Sequence, residues 1–153
     1  MNESEFVAEL SSTLAHHSDS ARQQLQGLLA SLPDRATRLD LVVFPSQDED
    51  GFFTIRASVD GPDLYVINKA IDSHADLFDA KYTETGVEPP IPIIDPFDVD
   101  YPVNDLVVDC AAKWLQSLWQ SLGEVECSIS VMVAADEGYG TTTPFELHSG
   151  IPA

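Results

Sequence analysis

The clearest hydrophobic pattern in the chain runs from Val103 to Leu122. Apolar residues recur at Val103, Leu106, Val107, Cys110, Ala111, Trp114, Leu115, Leu118, Trp119 and Leu122, the i, i+3, i+4, i+7 spacing of an amphipathic helix. Together with Val108 they fill an arc of roughly 220° at about 100° per residue. A helix resting on one surface needs an apolar stripe of only about 100°. This helix is therefore expected to meet the core on two sides, one a sheet and one a second helix. Asp105, Asp109, Lys113, Gln116 and Gln120 make up its polar face, with Asp109 and Lys113 spaced as an i, i+4 ion pair. Asn104 suits the N-cap, and Gly123 suits the left-handed position after the C-terminus. Trp114 and Trp119 fall inside the stripe and read as core rather than as a ligand platform.

Two shorter helical stripes precede it. Phe6, Leu10 and Leu14 form one; Ala21, Leu25, Leu28, Leu29 and Leu32 form the other. The segment HHSDS between them favours caps over helix interiors, and Ser20 with Gln23 fits a capping box. Helices over 4–16 and 20–32 are expected, the second ended by Pro33.

Alternating patterns mark the strands. RLDLVVF (38–44), GFFTIRASV (51–59) and DLYVIN (63–68) read as an antiparallel meander, joined by PSQDEDG and DGP. KAIDSHADLFDAKYTE (69–84) suggests a short helix over roughly 70–79. EVECSISVMVA (124–134) alternates cleanly, and TTTPFELHSGI (141–151) follows as an edge strand because Pro144 cannot donate to a ladder. Between the meander and the long helix lies TGVEPPIPIIDPFDVDYP (85–102), which holds five of the ten prolines. Neither a helix nor a central strand tolerates them. Its many apolar residues imply an extended segment pinned to the core. The expected architecture is α+β: a mainly antiparallel sheet of about five strands, the 103–122 helix on one face and the N-terminal helices beside it. Residues 1–153 are expected to form a single domain.

Charge changes the picture most. Asp and Glu number 26 against seven Lys and Arg, a formal net charge of -19 over 153 residues. Such a chain repels nucleic acid and anionic membrane surfaces, so neither is an expected partner. The excess suits a basic protein partner, a high-salt cytoplasm or simple solubility. No run of 18 apolar residues is present, and MNESEFVAELSS lacks the basic and apolar regions of a secretory signal. A cytoplasmic location follows, in which Cys110 and Cys127 read as small buried hydrophobes rather than a disulfide.

Motifs that carry catalysis are missing from the pattern. His16, His17, His74 and His148 lack the paired spacings of metal ligands. His16 and His17 suit a solvated helix end, and His74 an exposed cluster with Asp72 and Asp76. DPFDVD (95–100) lacks the glycine and terminal glutamate of a calcium loop. There is no G-x-S-x-G and no phosphate-cradling glycine loop. No catalytic, cofactor or metal residue is assigned on these grounds.

The proline-rich segment remains as the candidate site. Asp95, Phe97, Asp98, Asp100 and Tyr101 combine a stiff backbone, two aromatics and spaced carboxylates, the features a basic protein would meet. Against this stands a purely architectural role, with Ile91, Ile93, Ile94 and Phe97 sealing the N-terminal end of the long helix. Size, acidity and an α+β pattern without a catalytic motif resemble those of bacterial immunity proteins, small cytoplasmic partners that neutralise basic toxins. The resemblance implies a non-enzymatic inhibitor of a basic partner. Two other readings are carried forward. One is a small-molecule-binding or enzymatic domain with a pocket between sheet and helix. The other is a homodimer in which a second copy covers the Pro144 strand or the sheet face that bears Phe52.

Overall fold

The computed structural model describes residues 1–150. Helix α1 (Glu3–His16) opens with a capping box, in which Asn2 Oδ1 accepts from the Glu5 N–H at 2.8 Å and the Glu5 carboxylate accepts from the Asn2 N–H. A single residue, His17, separates it from helix α2 (Ser18–Ala30). The break falls within HHSDS as expected, but the expected cap at Ser20 is absent, because α2 starts two residues earlier with no side-chain cap.

Strands β1 (Arg38–Pro45) and β2 (Phe53–Asp60) pair antiparallel over their whole length. The expected strand at 63–68 is instead helix α3 (Leu64–Ile71). Extended to Ile71, the segment places Ile67 and Ile71 on one helical face, and these are its buried residues. The expected helix over 70–79 is likewise replaced. A 3-10 turn at Asp72–His74 leads into strand β3 (Asp76–Phe78), which pairs with β2. A small hairpin, β4 (Lys81–Thr83) with β5 (Gly86–Glu88), precedes the proline-rich segment.

Helix α4 (Val103–Ser121) is the expected long helix, ended at Gly123 with φ +74°. Asn104 does not cap it. Its side chain is only 2% exposed and donates to the Ser46 carbonyl at 3.0 Å, tying the β1–β2 loop to the start of α4. Strand β6 (Ser130–Ala135) is shorter than expected, and β7 (Phe145–His148) is the edge strand that follows Pro144.

The sheet order is β3-β2-β1-β6-β7. β6 runs parallel to β1, with Leu39 opposite Val131 and Leu41 opposite Val133; the other neighbours are antiparallel. The sheet is therefore mixed. The meander supplies its β2–β1 part, and the long connection through α4 brings β6 back alongside β1.

Helix α4 packs on β1 and β6 and is flanked by α1 and α2. Val107, Val108, Ala111 and Leu115 of α4 fill the space above Leu41, Val43, Val131 and Val133, all of them buried. This two-sided packing accounts for the wide stripe. Trp114 and Trp119 belong to the same buried cluster. The Trp114 indole N–H donates to Ser18 Oγ at 3.0 Å, so the polar tip of a buried tryptophan finds a partner across the helix interface.

Candidate partner-binding site

The proline-rich segment is held at several points. Ile91 is buried, and the Pro90 carbonyl accepts from Thr13 Oγ1 of α1 at 3.0 Å. The Ile94 N–H donates to the Asp50 carbonyl at 2.8 Å, joining the segment to the β1–β2 loop. Gly51 adopts φ +98°, and a side chain there would lie 2.5 Å from the Pro92 carbonyl, so only glycine allows this close approach.

Beyond Ile94 the chain forms a 3-10 turn at Pro96–Asp98. Asp95 caps it, its carboxylate accepting from the Phe97 N–H at 2.9 Å while its carbonyl accepts from the Asp98 N–H at 3.0 Å. The turn lifts Phe97 clear of the surface, leaving it 95% exposed. Ile91 is buried and Ile94 packs partly against the core, whereas Ile93 is exposed and Phe97 takes no part in any sealing. Tyr101 differs from the expectation of a second free aromatic. Its hydroxyl donates to the Met1 carbonyl at 3.0 Å, and its ring lies 5.8 Å from that of the buried Phe6.

Thus Asp95 braces, Phe97 projects, Asp98 and Asp100 stand exposed and Tyr101 anchors. Folding adds residues that the local sequence could not reveal. A concavity of about 380 Å³ beside the turn is lined by Glu3, Asp98, Asp100 and Tyr101 together with Met1 and Asn2. Glu3 and Asp100 are far apart in sequence and meet only because Tyr101 pins the segment to the start of α1. The Tyr101 hydroxyl is raised above its ordinary pKa by desolvation and by the negative charges of Glu5, Asp100 and Glu3. Tyr82, stacked on Phe52 at 4.7 Å, is raised by desolvation and then by Asp50. No Lys or Arg lies between Lys81 and Lys113. This end of the molecule is therefore strongly negative and carries the almost fully exposed Phe97.

The remaining sequence candidates are otherwise engaged. Asp72 and Asp76 both pair with Arg56 rather than clustering with His74. His74 packs over Gly27 of α2 and lies 3.2 Å from Gln24 Oε1. His17 is half-buried against Phe78 and Trp114, not solvated, and desolvation lowers its pKa against the opposing effect of the Leu77 backbone. Asp109 forms no ion pair with Lys113. It accepts instead from the Thr141 N–H and Oγ1, each at 2.8 Å. Cys127 is buried and Cys110 half-buried, both as free thiols. Among the described residues, no helix is long and apolar enough to cross a membrane.

Fold and site together define an acidic α+β protein with a mixed five-stranded sheet and a projecting aromatic in a carboxylate-rich loop. The chain belongs to a family of unknown function, DUF6389, whose model matches residues 1–149. No curated protein and no solved structure matches it.

Proposed function

We propose that this chain is a non-enzymatic acidic binding domain whose 95–101 turn receives a basic protein, in the manner of an immunity protein or inhibitor. The observation that carries this reading is Phe97. A phenyl ring left almost wholly in water on a braced turn gains its burial energy only when a partner covers it, on the order of 1.5–3 kcal/mol. Asp98 and Asp100 near it in the chain, with Glu3 in the adjoining concavity, select the partner by charge and speed its approach. The same field disfavours nucleic acid and anionic membranes. In this reading the protein acts in the cytoplasm, without cofactor or metal.

The test is retention of a basic protein from a lysate of the source cells at about 0.05 M salt, where exposed charges act over distances beyond about 10 Å. Phe97→Ala should weaken retention at least tenfold by removing the anchor. Asp98→Asn with Asp100→Asn should weaken it mainly through slower association, and about 0.5 M salt should release the partner. Retention that survives all three treatments refutes the proposal.

A further inference from the structure

We infer that the open face of the sheet, on the side away from α4, is the surface through which two copies of this chain associate. Helices α1, α2 and α4 share one side of the sheet with its buried residues Leu41, Val43, Ile55 and Val131. The alternate residues of the same strands face the other way: Val42 and Phe44 of β1, Arg56 and Ser58 of β2, Met132 and Ala134 of β6. Helix α3 rises at one side of this face, and Tyr82 stacks on Phe52 at its end. Tyr65 and Lys69 of α3, with Asp72 of the following turn, line a groove of about 450 Å³ together with Phe44, Arg56 and Ser58. Tyr65 is 77% exposed and Phe44 39%, with Leu64 and Val66 exposed beside them. Scattered exposed hydrophobics are ordinary, but Tyr65 and Phe44 face one another across a single groove, as at an interaction surface.

Charge selects the occupant. Arg38 and Arg56 alternate onto this face and Lys69 lines its groove, with Arg35 three residues ahead of β1. Each arginine is already paired. Arg35 meets Asp63 at 2.7 Å, Arg38 meets Asp40 at 2.8 Å, and Arg56 meets Asp76 at 2.7 Å as well as Asp72. Lys69 has no carboxylate within ion-pair distance among the described residues and lies over the Tyr65 ring, 5.5 Å from its centroid. Glu146, opposite Met132, adds an acid with no ion pair among the described residues, so the face is only slightly negative, while the rest of a molecule at -19 is strongly negative. Two such molecules repel one another through every other surface. A basic partner is drawn to the acidic end instead, and an acidic one is repelled by the whole. Because its arginines are already neutralised within each copy, this face can meet a second copy across a two-fold axis without the repulsion that the rest of the surface imposes. Its aromatics, methionine and arginines are the residue types enriched in interface centres.

This association does not depend on the binding role of the 95–101 turn, and its salt dependence has the opposite sign. Sedimentation of the full chain over about 5–200 µM should show a monomer–dimer equilibrium. The dimer should strengthen between about 0.05 and 0.5 M NaCl as the overall repulsion is screened. Phe44→Ser combined with Tyr65→Ser should raise the dissociation constant at least tenfold, while Phe97→Ala leaves it unchanged. Circular dichroism checks that the double variant is folded. If it is not, Lys69→Glu, which reverses an exposed charge and frees the Tyr65 ring, should weaken the dimer in its place. A chain that stays monomeric throughout this range at both salt levels overturns the inference. So does a dimer indifferent to the folded double variant, or to Lys69→Glu where that variant stands in.

Discussion

The side-chain amide of Asn68 pairs with the backbone of Val59 as a neighbouring strand would. Asn68 Oδ1 accepts from the Val59 N–H at 2.9 Å, and Nδ2 donates to the Val59 carbonyl at 3.0 Å. Nδ2 also donates to the Leu64 carbonyl at 2.8 Å, which fixes the amide against its own helix. The arrangement is needed because β3 is only three residues long and leaves the outer edge of β2 unpaired beyond Ala57. Buried backbone groups without partners are costly, and one carboxamide supplies both a donor and an acceptor where the ladder stops.

Replacing that amide should therefore destabilise the chain more than a surface change does. Asn68→Ala leaves the Val59 N–H and C=O without partners and is expected to cost about 2–3 kcal/mol in urea unfolding. Asn68→Asp keeps the acceptor but turns a carboxylate toward two carbonyls, and should cost at least as much. A loss below about 0.5 kcal/mol for the alanine variant would show that water replaces the amide freely.

A second prediction concerns Asp109 and the loop that follows β6. Its carboxylate holds Thr141, while Asp105 accepts from the Gly140 N–H at 2.8 Å. These charge-assisted bonds fasten the loop to α4. Asp109→Ala should cost about 1–3 kcal/mol and speed amide exchange at Gly140, Thr141 and Thr142 while leaving β1 and β2 protected. Uniform exchange across the chain would place the effect elsewhere.

The excess of carboxylates should make stability depend on salt. At -19 the folded chain repels itself, and screening weakens that repulsion. Between about 0.05 and 0.5 M NaCl the melting temperature should rise by about 3–6 °C, corresponding to roughly 1–2 kcal/mol of relief. A flat or falling melting temperature would show that the ion pairs of Arg38 and Arg56 outweigh the general repulsion.

His17 should make stability depend on pH in a defined direction. Desolvation between Phe78 and Trp114 lowers its folded pKa below the ordinary value of 6.5. The unfolded chain then binds the proton more readily than the folded one. The stability it contributes is complete above about 6.5 and is lost as pH falls from there through the folded pKa. Proton NMR of the ring should give a midpoint below about 6.5. His17→Gln should flatten the fall in stability between about pH 7 and 5.5, a window above most carboxylate titration. A midpoint at or above 6.5 would contradict the desolvation.

Much of the fold was legible before folding, because side-chain periodicity is a local property. The α4 stripe, its termination at Gly123 and the core role of Trp114 and Trp119 follow from spacing alone. So do the two N-terminal helices, β1 and β2, and the edge position that Pro144 imposes on β7. The 63–68 segment fits a strand as well as a helix because short apolar runs satisfy both periods. The continuation to Ile71, three or four residues beyond Ile67 and Asn68, was the signal that favours a helix. The capping box of Asn2 and Glu5 was equally available and stood at the sequence level as N-x-x-E.

Tertiary structure decided the rest, and the reason is the same in each case. The pairing of β6 beside β1, the amide of Asn68 on Val59, the recruitment of Asp109 by Thr141 and the meeting of Glu3 with Asp100 all join residues far apart in the chain or on different elements. No local period encodes such a meeting, which depends on which surfaces the folded elements leave to one another. The sequence by itself determined an acidic α+β protein built on one long helix, with a stiff acidic loop at its head. Only the three-dimensional arrangement decided that Phe97 projects while Tyr101 is anchored, and that one face of the sheet is left open with its charges nearly balanced.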